Sequence, residues 1–227
     1  MELVLLHALP FDGSMWHQQL NLLPGRTHAP TLYEFGDTIT EWASAVLDRI
    51  QGERLIVVGN SVGGSCGLEM AALAADRIAA LVLVDAKAGH RPEPMLRVEV
   101  LGMLHEKGVE AAWEKFWAPL FSSSVPLDVL AQATRIATGL PVAAIAKGVN
   151  AFHTRTDRDD LLSTLSCPIL CISGEHDRAP GVARMTAQAR TARAGRLIVL
   201  PDCGHYVPLE RPEELNSILQ SLIHELT

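Results

Sequence analysis

Ser61 stands in Gly59-Asn60-Ser61-Val62-Gly63, a G-x-S-x-G pattern within the stretch "VVGNSVGGSCG" from Val57 to Gly67. A serine hydroxyl is a weak nucleophile at neutral pH. The pattern therefore means chemistry only if the chain also supplies a base, an acid to orient that base, and donors for a developing oxyanion. Of the nine histidines, His205 in "LPDCGHYVPLE" is the best-placed base, and Asp177 in "CISGEHDRAP" is the matching acid. Together they give the chain order serine, acid, histidine, one of the orders in which such triads occur. Asp85 at the end of "IAALVLVD" is a rival acid. Asp177 is preferred for its position in the chain and for the looser loop setting an orienting carboxylate needs. The backbone N–H of Leu9, in "LVLLHALPFDGSMW", and that of Val62, which follows the serine, are the candidate oxyanion donors. His7 is expected to fix that first loop by hydrogen bonding. Cys203 lies close to His205 but has no elbow of its own, so a cysteine nucleophile is not expected.

These groups need a scaffold that brings them to one place. Short β-branched or leucine-rich runs alternate with helical patterns: "ELVLL" (Glu2 to Leu6), "RLIVVG" (Arg54 to Gly59), "IAALVLVD" (Ile78 to Asp85), "PILCIS" (Pro168 to Ser173) and "RLIVL" (Arg196 to Leu200). The alternation predicts an α/β fold with a parallel sheet, and the lack of strict polar alternation predicts strands covered on both faces. "HAPTLYEF", His28 to Phe35, is a weaker sixth strand candidate. "TITEWASAVLDRI", "GLEMAALAAD" and "RPEELNSILQSLIHEL" carry helical signals, including a threonine start and Pro212 in the first turn of the last one. Ser61 then sits where a strand passes into a helix, the context in which G-x-S-x-G marks a nucleophile. A glycine-rich turn without chemistry is the competing reading, and this context decides against it. Asp177 and His205 fall on loops after later strands, at the C-terminal edge where open α/β sheets place their sites.

The alternation breaks after Asp85. Residues 88–159 show no convincing strand, only helical stretches separated by "RPEP", "APLFSSSVP" and "TGLP". The expected organisation is a core of residues 1–87 and 160–227 with a helical cap, 88–159, inserted between two of its strands. Trp113, Phe116 and Trp117 share a helical face in that insertion, a pattern more common in cores than in binding sites. Trp113, Trp117 and Phe152 are the candidate pocket aromatics. Charged residues there, Arg91, Arg97, His153 and Arg155, are candidates for reading a substrate carboxylate, against the plainer reading of a solvated face.

Composition narrows the function classes. The chain of 227 residues is 48% hydrophobic with a net charge of -7, and its mean hydropathy is +0.17. Disorder is thereby excluded. No apolar run approaches the roughly 18 residues that cross a bilayer. The acidic balance argues against nucleic acid or an anionic membrane as partner. Met1 leads into Glu2 and a short apolar run without a basic flank or a small-residue cleavage site. A secretory signal is therefore not expected, and a cytoplasmic location is. The four cysteines, Cys66, Cys167, Cys171 and Cys203, have no spacing suited to zinc or to a redox pair. On a strand, Cys167 and Cys171 would share a face but lie roughly 13 Å apart at about 3.3 Å per residue, too far for a disulfide. A monomer or a homodimer is expected.

The loop "HALPFDGSMW", the elbow "GNSVGG", the strand end "LVLVDA", the acid loop "SGEHDRAP" and the terminal "CGHYVPLERPEELN" together resemble the α/β-hydrolase superfamily, of the capped esterase, lactonase and ring-cleavage-product hydrolase kind. The resemblance covers nearly the whole chain. It implies an α/β-hydrolase fold with a sheet of about six mostly parallel strands, Ser61 as nucleophile, Asp177 as acid, His205 as base, and Leu9 and Val62 as oxyanion donors. It also implies cleavage of a small-molecule ester or lactone with no metal or organic cofactor. Carbon–carbon bond hydrolysis, incidental haloperoxidase-like activity, or a non-catalytic receptor on the same fold are the alternatives. Dehalogenase and epoxide hydrolase chemistry is disfavoured, because those relatives place an aspartate where Ser61 stands. Two departures are notable: Ala8 replaces the glycine that usually follows the loop histidine, and the two antiparallel strands that often begin the fold are missing.

Overall fold

In a computed structural model, which describes residues 1–227, six strands form one sheet: β1 (Glu2–Leu6), β2 (Thr27–His28), β3 (Leu55–Asn60), β4 (Ile78–Val84), β5 (Ile169–Gly174) and β6 (Gly195–Leu200). Their order is β2-β1-β3-β4-β5-β6, and every pairing is parallel. Every residue of β3 and of β5 is buried, which is why those segments read as unbroken apolar runs. β6 at the edge is only partly buried. Successive crossovers run in opposite directions on either side of β1, so a crevice opens between the C-terminal ends of β1 and β3. Ligands of open α/β sheets bind in such crevices.

The helices, in chain order, are α1 (Ile39–Arg49), α2 (Val62–Leu73), α3 (Pro94–Ala112), α4 (Leu127–Thr138), α5 (Val142–His153), α6 (Leu161–Thr164), α7 (Val182–Thr191), α8 (Val207–Glu210) and α9 (Pro212–Leu226). α1 starts in a capping box, in which Thr38 Oγ1 accepts from the Glu41 N–H at 3.2 Å and Glu41 Oε2 accepts from the Thr38 N–H at 3.0 Å. No single helix is long and apolar enough to cross a membrane.

Two sequence expectations need correction. "HAPTLYEF" is not a strand along its length. Pairing with β1 is confined to Thr27 and His28, and Leu32–Phe35 is a 3₁₀ turn, its start held by the Leu32 N–H donating to buried His7 Nε2 at 2.9 Å. The helix read from Gly67 onward starts at Val62, directly after the serine.

Between β4 and β5 the chain contains helices and turns only, with α3 broken at Gly108, whose φ is +83°. The return of this segment is tied to α2 by a bidentate ion pair, Arg158 Nε to Glu69 Oε2 at 2.8 Å and Arg158 to Glu69 Oε1 at 2.9 Å. The Thr40 hydroxyl adds a third donor to Glu69 at 2.9 Å.

Candidate active site

The turn between β3 and α2 forces Ser61 to φ 53° and ψ −116°, a conformation few non-glycine residues adopt and one that persists only when its surroundings impose it. Those surroundings are tight. A Cβ on Gly59 would lie 2.3 Å from the Gly63 carbonyl, and one on Gly63 would lie 2.1 Å from Leu6 O on the neighbouring strand. The Ser61 N–H donates to Val84 O at 3.0 Å, anchoring the elbow to β4. The side chain caps no helical N–H, so the hydroxyl is free for a ligand at the positive end of α2.

Asn60, fully buried beside the serine, donates through Nδ2 to Val84 O at 2.9 Å and to His205 O at 3.1 Å. It thus links the elbow to the loop that carries the histidine. His205 is 3% exposed, and its Nδ1 lies 2.8 Å from Asp177 Oδ1. With a carboxylate on Nδ1, the proton sits there and Nε2 is left as the acceptor. His205 and Ser61 line the same cavity, of about 250 Å³.

Asp177 accepts further hydrogen bonds from the Ala179 N–H at 3.1 Å and the Gly181 N–H at 2.7 Å. Burial acts to raise its pKa, but the hydrogen bond and charge of His205 and the two backbone donors outweigh it, and the carboxyl is held below its ordinary range. Asp85, the rival acid, takes a different part. It is 1% exposed and accepts from the Ser173 hydroxyl at 2.7 Å and the Gly174 N–H at 3.0 Å. Burial first and the neighbouring Asp177 charge second push its pKa far up. The two neighbouring carboxyls are therefore pushed in opposite directions, Asp85 up and Asp177 down.

On the other side of Ser61, Val62 is the first residue of α2, and its N–H has no carbonyl a turn earlier to meet. Leu9 lines the cavity with Ser61. The Leu9 loop is held on both sides: Tyr206 donates its hydroxyl to Leu9 O at 3.1 Å, and the Ala8 N–H contacts Met15 Sδ at 3.2 Å. His7 accepts at Nε2 from the Leu32 N–H, so its Nδ1 carries the proton and donates to Ala8 O at 3.1 Å. Burial lowers its pKa to about 4, the Ala8 hydrogen bond and Asp12 opposing. Ala8 in place of glycine costs no backbone strain, because it is not among the residues with positive φ.

Glu210, which the sequence reading missed, grips the histidine loop. Its Oε2 accepts from the Ser122 N–H at 2.9 Å and the Gly204 N–H at 3.0 Å, and its Oε1 accepts from the Tyr206 N–H at 3.3 Å. The one-turn helix α8 turns the chain back so that Glu210 lies under His205; a glutamate soon after the histidine is the only trace of this in the sequence.

Of the pocket aromatics, Trp117 and Phe152 line the cavity and Phe116 joins them. Trp113 does not. It packs edge-on against Phe11 and Phe121, with ring centroids 5.8 and 6.0 Å away. Trp113–Trp117 form a π-helical turn, closed by the Ala118 N–H donating to Trp113 O, so the α-helical spacing that placed the three aromatics on one face does not hold over this stretch. Arg155 lies stacked on Phe152 at 4.0 Å, Arg97 donates to Asn150 Oδ1 at 2.8 Å, Arg91 is exposed, and only His153 of the four charged candidates reaches the cavity.

Asp85, Asp177 and His205 bring ligand-type atoms within 4.8 Å of one another, as do exposed Glu175, His176 and Asp202. In the first group the oxygens and Nδ1 are committed to the hydrogen bonds above, so a cation there would have to displace that network. All four cysteines are free and buried; burial drives the Cys171 thiol up to about 12 and those of Cys66 and Cys203 higher still. None is poised as a nucleophile.

Known proteins are similar to this chain over nearly its whole length. A pimeloyl-[acyl-carrier protein] methyl ester esterase from Nitrosomonas europaea is 28% identical, covering 97% of this chain and 95% of its own. The lipase LipV from Mycobacterium tuberculosis is 24% identical over 95% of this chain and 90% of its own. Among solved structures, a thermophilic esterase from Thermogutta terrifontis superposes with a TM-score of 0.89 at 25% identity, covering 100% of this chain and 90% of the other. The family model described as "Alpha/beta hydrolase family" matches residues 3–218. On that match, and on a parallel sheet whose crevice holds the serine, the chain belongs to the alpha/beta hydrolase family and is a hydrolase of that type.

Proposed function

We propose that this protein is a serine hydrolase that cleaves a carboxylic ester or lactone of a small molecule, with Ser61 as nucleophile, His205 as base and Asp177 as orienting acid. The observation that carries the reading is the 2.8 Å contact of His205 Nδ1 with Asp177, made by a histidine that shares a largely apolar cavity with a serine in a strained elbow.

In this scheme His205 Nε2 takes the Ser61 proton as Oγ attacks the carbonyl carbon, and Asp177 stabilises the imidazolium. The oxyanion is held by the N–H groups of Leu9 and Val62; losing one such donor costs a hydrolase on the order of 100-fold or more in turnover. The imidazolium returns its proton to the departing alkoxide, leaving an acyl group on Ser61. Water then attacks that carbonyl, gives its proton to His205 and releases the acid, and Ser61 recovers its proton. Residues 88–159 act as the cap over the core of residues 1–87 and 160–227, supplying Phe116, Trp117 and Phe152 to the cavity wall. The names of the relatives, an esterase and a lipase, agree with this class of bond.

The test is intact-protein mass after treatment with a fluorophosphonate, followed by turnover of a panel of 4-nitrophenyl esters and lactones. One stoichiometric adduct on the wild type, absent from Ser61→Ala, together with Ser61-dependent turnover, is expected. A folded wild type that takes no adduct would overturn the proposal and bring forward a ligand-binding receptor on the same fold.

A further inference from the structure

Lys87, just past the end of β4, points into the cavity that holds Ser61 and His205. It is half-buried and makes no ion pair with any carboxylate of the chain. Its nearest aromatic neighbour is Phe152, with the ammonium 6.0 Å from the ring centroid. A partly desolvated charge without a counter-ion is costly, and a ligand of opposite charge removes that cost.

The surroundings reinforce the positive sign. His153 lines the same cavity, its ring centroid 5.3 Å from that of Phe152; burial lowers its pKa, Glu93 opposing, so it offers a ring nitrogen to a ligand rather than a standing charge. Beneath the Phe152 ring lies Arg155, 7% exposed, with its Nε buried and unpartnered. Arg184 is close too, but its charge is committed to Asp159. The one carboxylate on the cavity's edge, Glu93, is exposed at the rim. Burial lowers the pKa of Lys87, Glu93 opposing while Arg155 and Arg184 add to the effect. The remaining wall, with Leu96, Val100, Phe116 and Trp117, is aliphatic and aromatic. A ligand that fits has a reactive carbonyl at Ser61, a short hydrocarbon stretch and an anionic end.

We infer that Lys87, with His153 lining the same cavity, forms an anion subsite, and that the substrate is a carboxylate-bearing ester or lactone, such as a monoester of a short dicarboxylic acid. The inference rests on the reading of Ser61 as the nucleophile of the same cavity. Lys87 then selects substrate by pairing with the carboxylate, while the hydrocarbon wall sets the distance from that charge to the scissile carbonyl.

The experiment compares kcat/KM for mono-(4-nitrophenyl) glutarate and for neutral 4-nitrophenyl butyrate in wild type, Lys87→Met, Lys87→Arg and Lys87→Glu, each checked for a wild-type-like thermal melt. A charge-assisted hydrogen bond corresponds to about 10- to 100-fold in affinity. The ratio of the anionic to the neutral ester should therefore fall by that factor in Lys87→Met, recover in Lys87→Arg and invert in Lys87→Glu. A ratio that stays within about twofold of wild type in Lys87→Met overturns the inference, whatever happens to the two activities separately. A companion measurement needs no turnover: calorimetric binding of glutarate to Ser61→Ala and to Ser61→Ala/Lys87→Met. Glutarate that binds the former about tenfold more tightly upholds the anion subsite even if no ester is cleaved, in which case the hydrolase reading alone has failed. Equal binding, or none to either, overturns the subsite.

Discussion

Glu210 makes a prediction that separates holding the histidine from merely filling space. Its carboxylate accepts from the N–H groups of Gly204 and Tyr206, on either side of His205, and from Ser122, which enters from the inserted segment. The group is 4% exposed, so in Glu210→Ala the three donors are left facing a cavity. Hydrogen bonds to a charged group contribute about 1.5–3 kcal/mol each. One of the three is long, at 3.3 Å, and a water molecule filling the gap would recover part of the loss, so the expected cost is about 3–5 kcal/mol. For a chain of this length that lowers the melting temperature by about 6–20 °C. Glu210→Gln should be intermediate. Its amide oxygen can still accept from Ser122 and Gly204, whereas its NH₂ group confronts the Tyr206 N–H. The chemistry should suffer along with stability, because a histidine displaced by about 1 Å loses on the order of 100-fold in rate. Urea unfolding and the rate of fluorophosphonate labelling measure the two effects on the same samples. The reasoning is refuted if Glu210→Ala loses under about 1 kcal/mol with unchanged labelling, or if Gln and Ala are equivalent, since acceptor capacity would then not be what matters.

The two buried acids should respond differently to the same change. Asp177→Asn removes the carboxylate on His205 Nδ1 and should lower kcat by about 10⁴-fold, whereas Asp85→Asn leaves that carboxylate in place and should stay within about tenfold; equal losses in steady-state assays would show that the pair shares the orienting role. Gly63→Ala puts a Cβ 2.1 Å from Leu6 O, so the elbow and β1 must separate, with a stability loss of about 3 kcal/mol or more. A melting temperature within about 2 °C of wild type would contradict that steric argument. His7, buried neutral with a pKa of about 4 against about 6.5 unfolded, makes the unfolded chain bind more protons between those values. Stability must then rise with pH across that window, and wild type should lose about 2 kcal/mol between pH 7 and pH 5 relative to His7→Gln in urea titrations; parallel pH profiles for the two proteins would exclude the effect.

How much of this was legible beforehand depends on how local the cause is. The elbow was, because strand, glycine, serine and helix follow one another within a dozen residues and the steric demand at Gly59 and Gly63 arises inside that span and against the adjacent strand. Asp177 and His205 were, because loops after parallel strands all open at one edge of the sheet. β2 was not: its two residues have no pattern of their own and exist only as a partner for Leu3 and Val4. Asn60, Tyr206 and Glu210 act through hydrogen bonds between segments far apart in the chain, and no spacing announces them. Trp113 was misplaced because its ring packs against Phe11 and Phe121, partners outside its own helical turn that periodicity does not announce, while Phe116 and Trp117 remain at the cavity. Lys87 is the sharpest case, an ordinary loop lysine whose meaning depends on what the helices after it cover. The groups proposed to react thus stand on sheet ends, where sequence and position are closely coupled, while the groups that would recognise a substrate come from a helical segment whose packing is decided by contacts with the rest of the chain. Substitutions in residues 88–159 should therefore change which ester is cleaved more readily than whether one is cleaved, the Arg158–Glu69 anchor excepted, since that pair ties the segment to the helix that begins directly after Ser61.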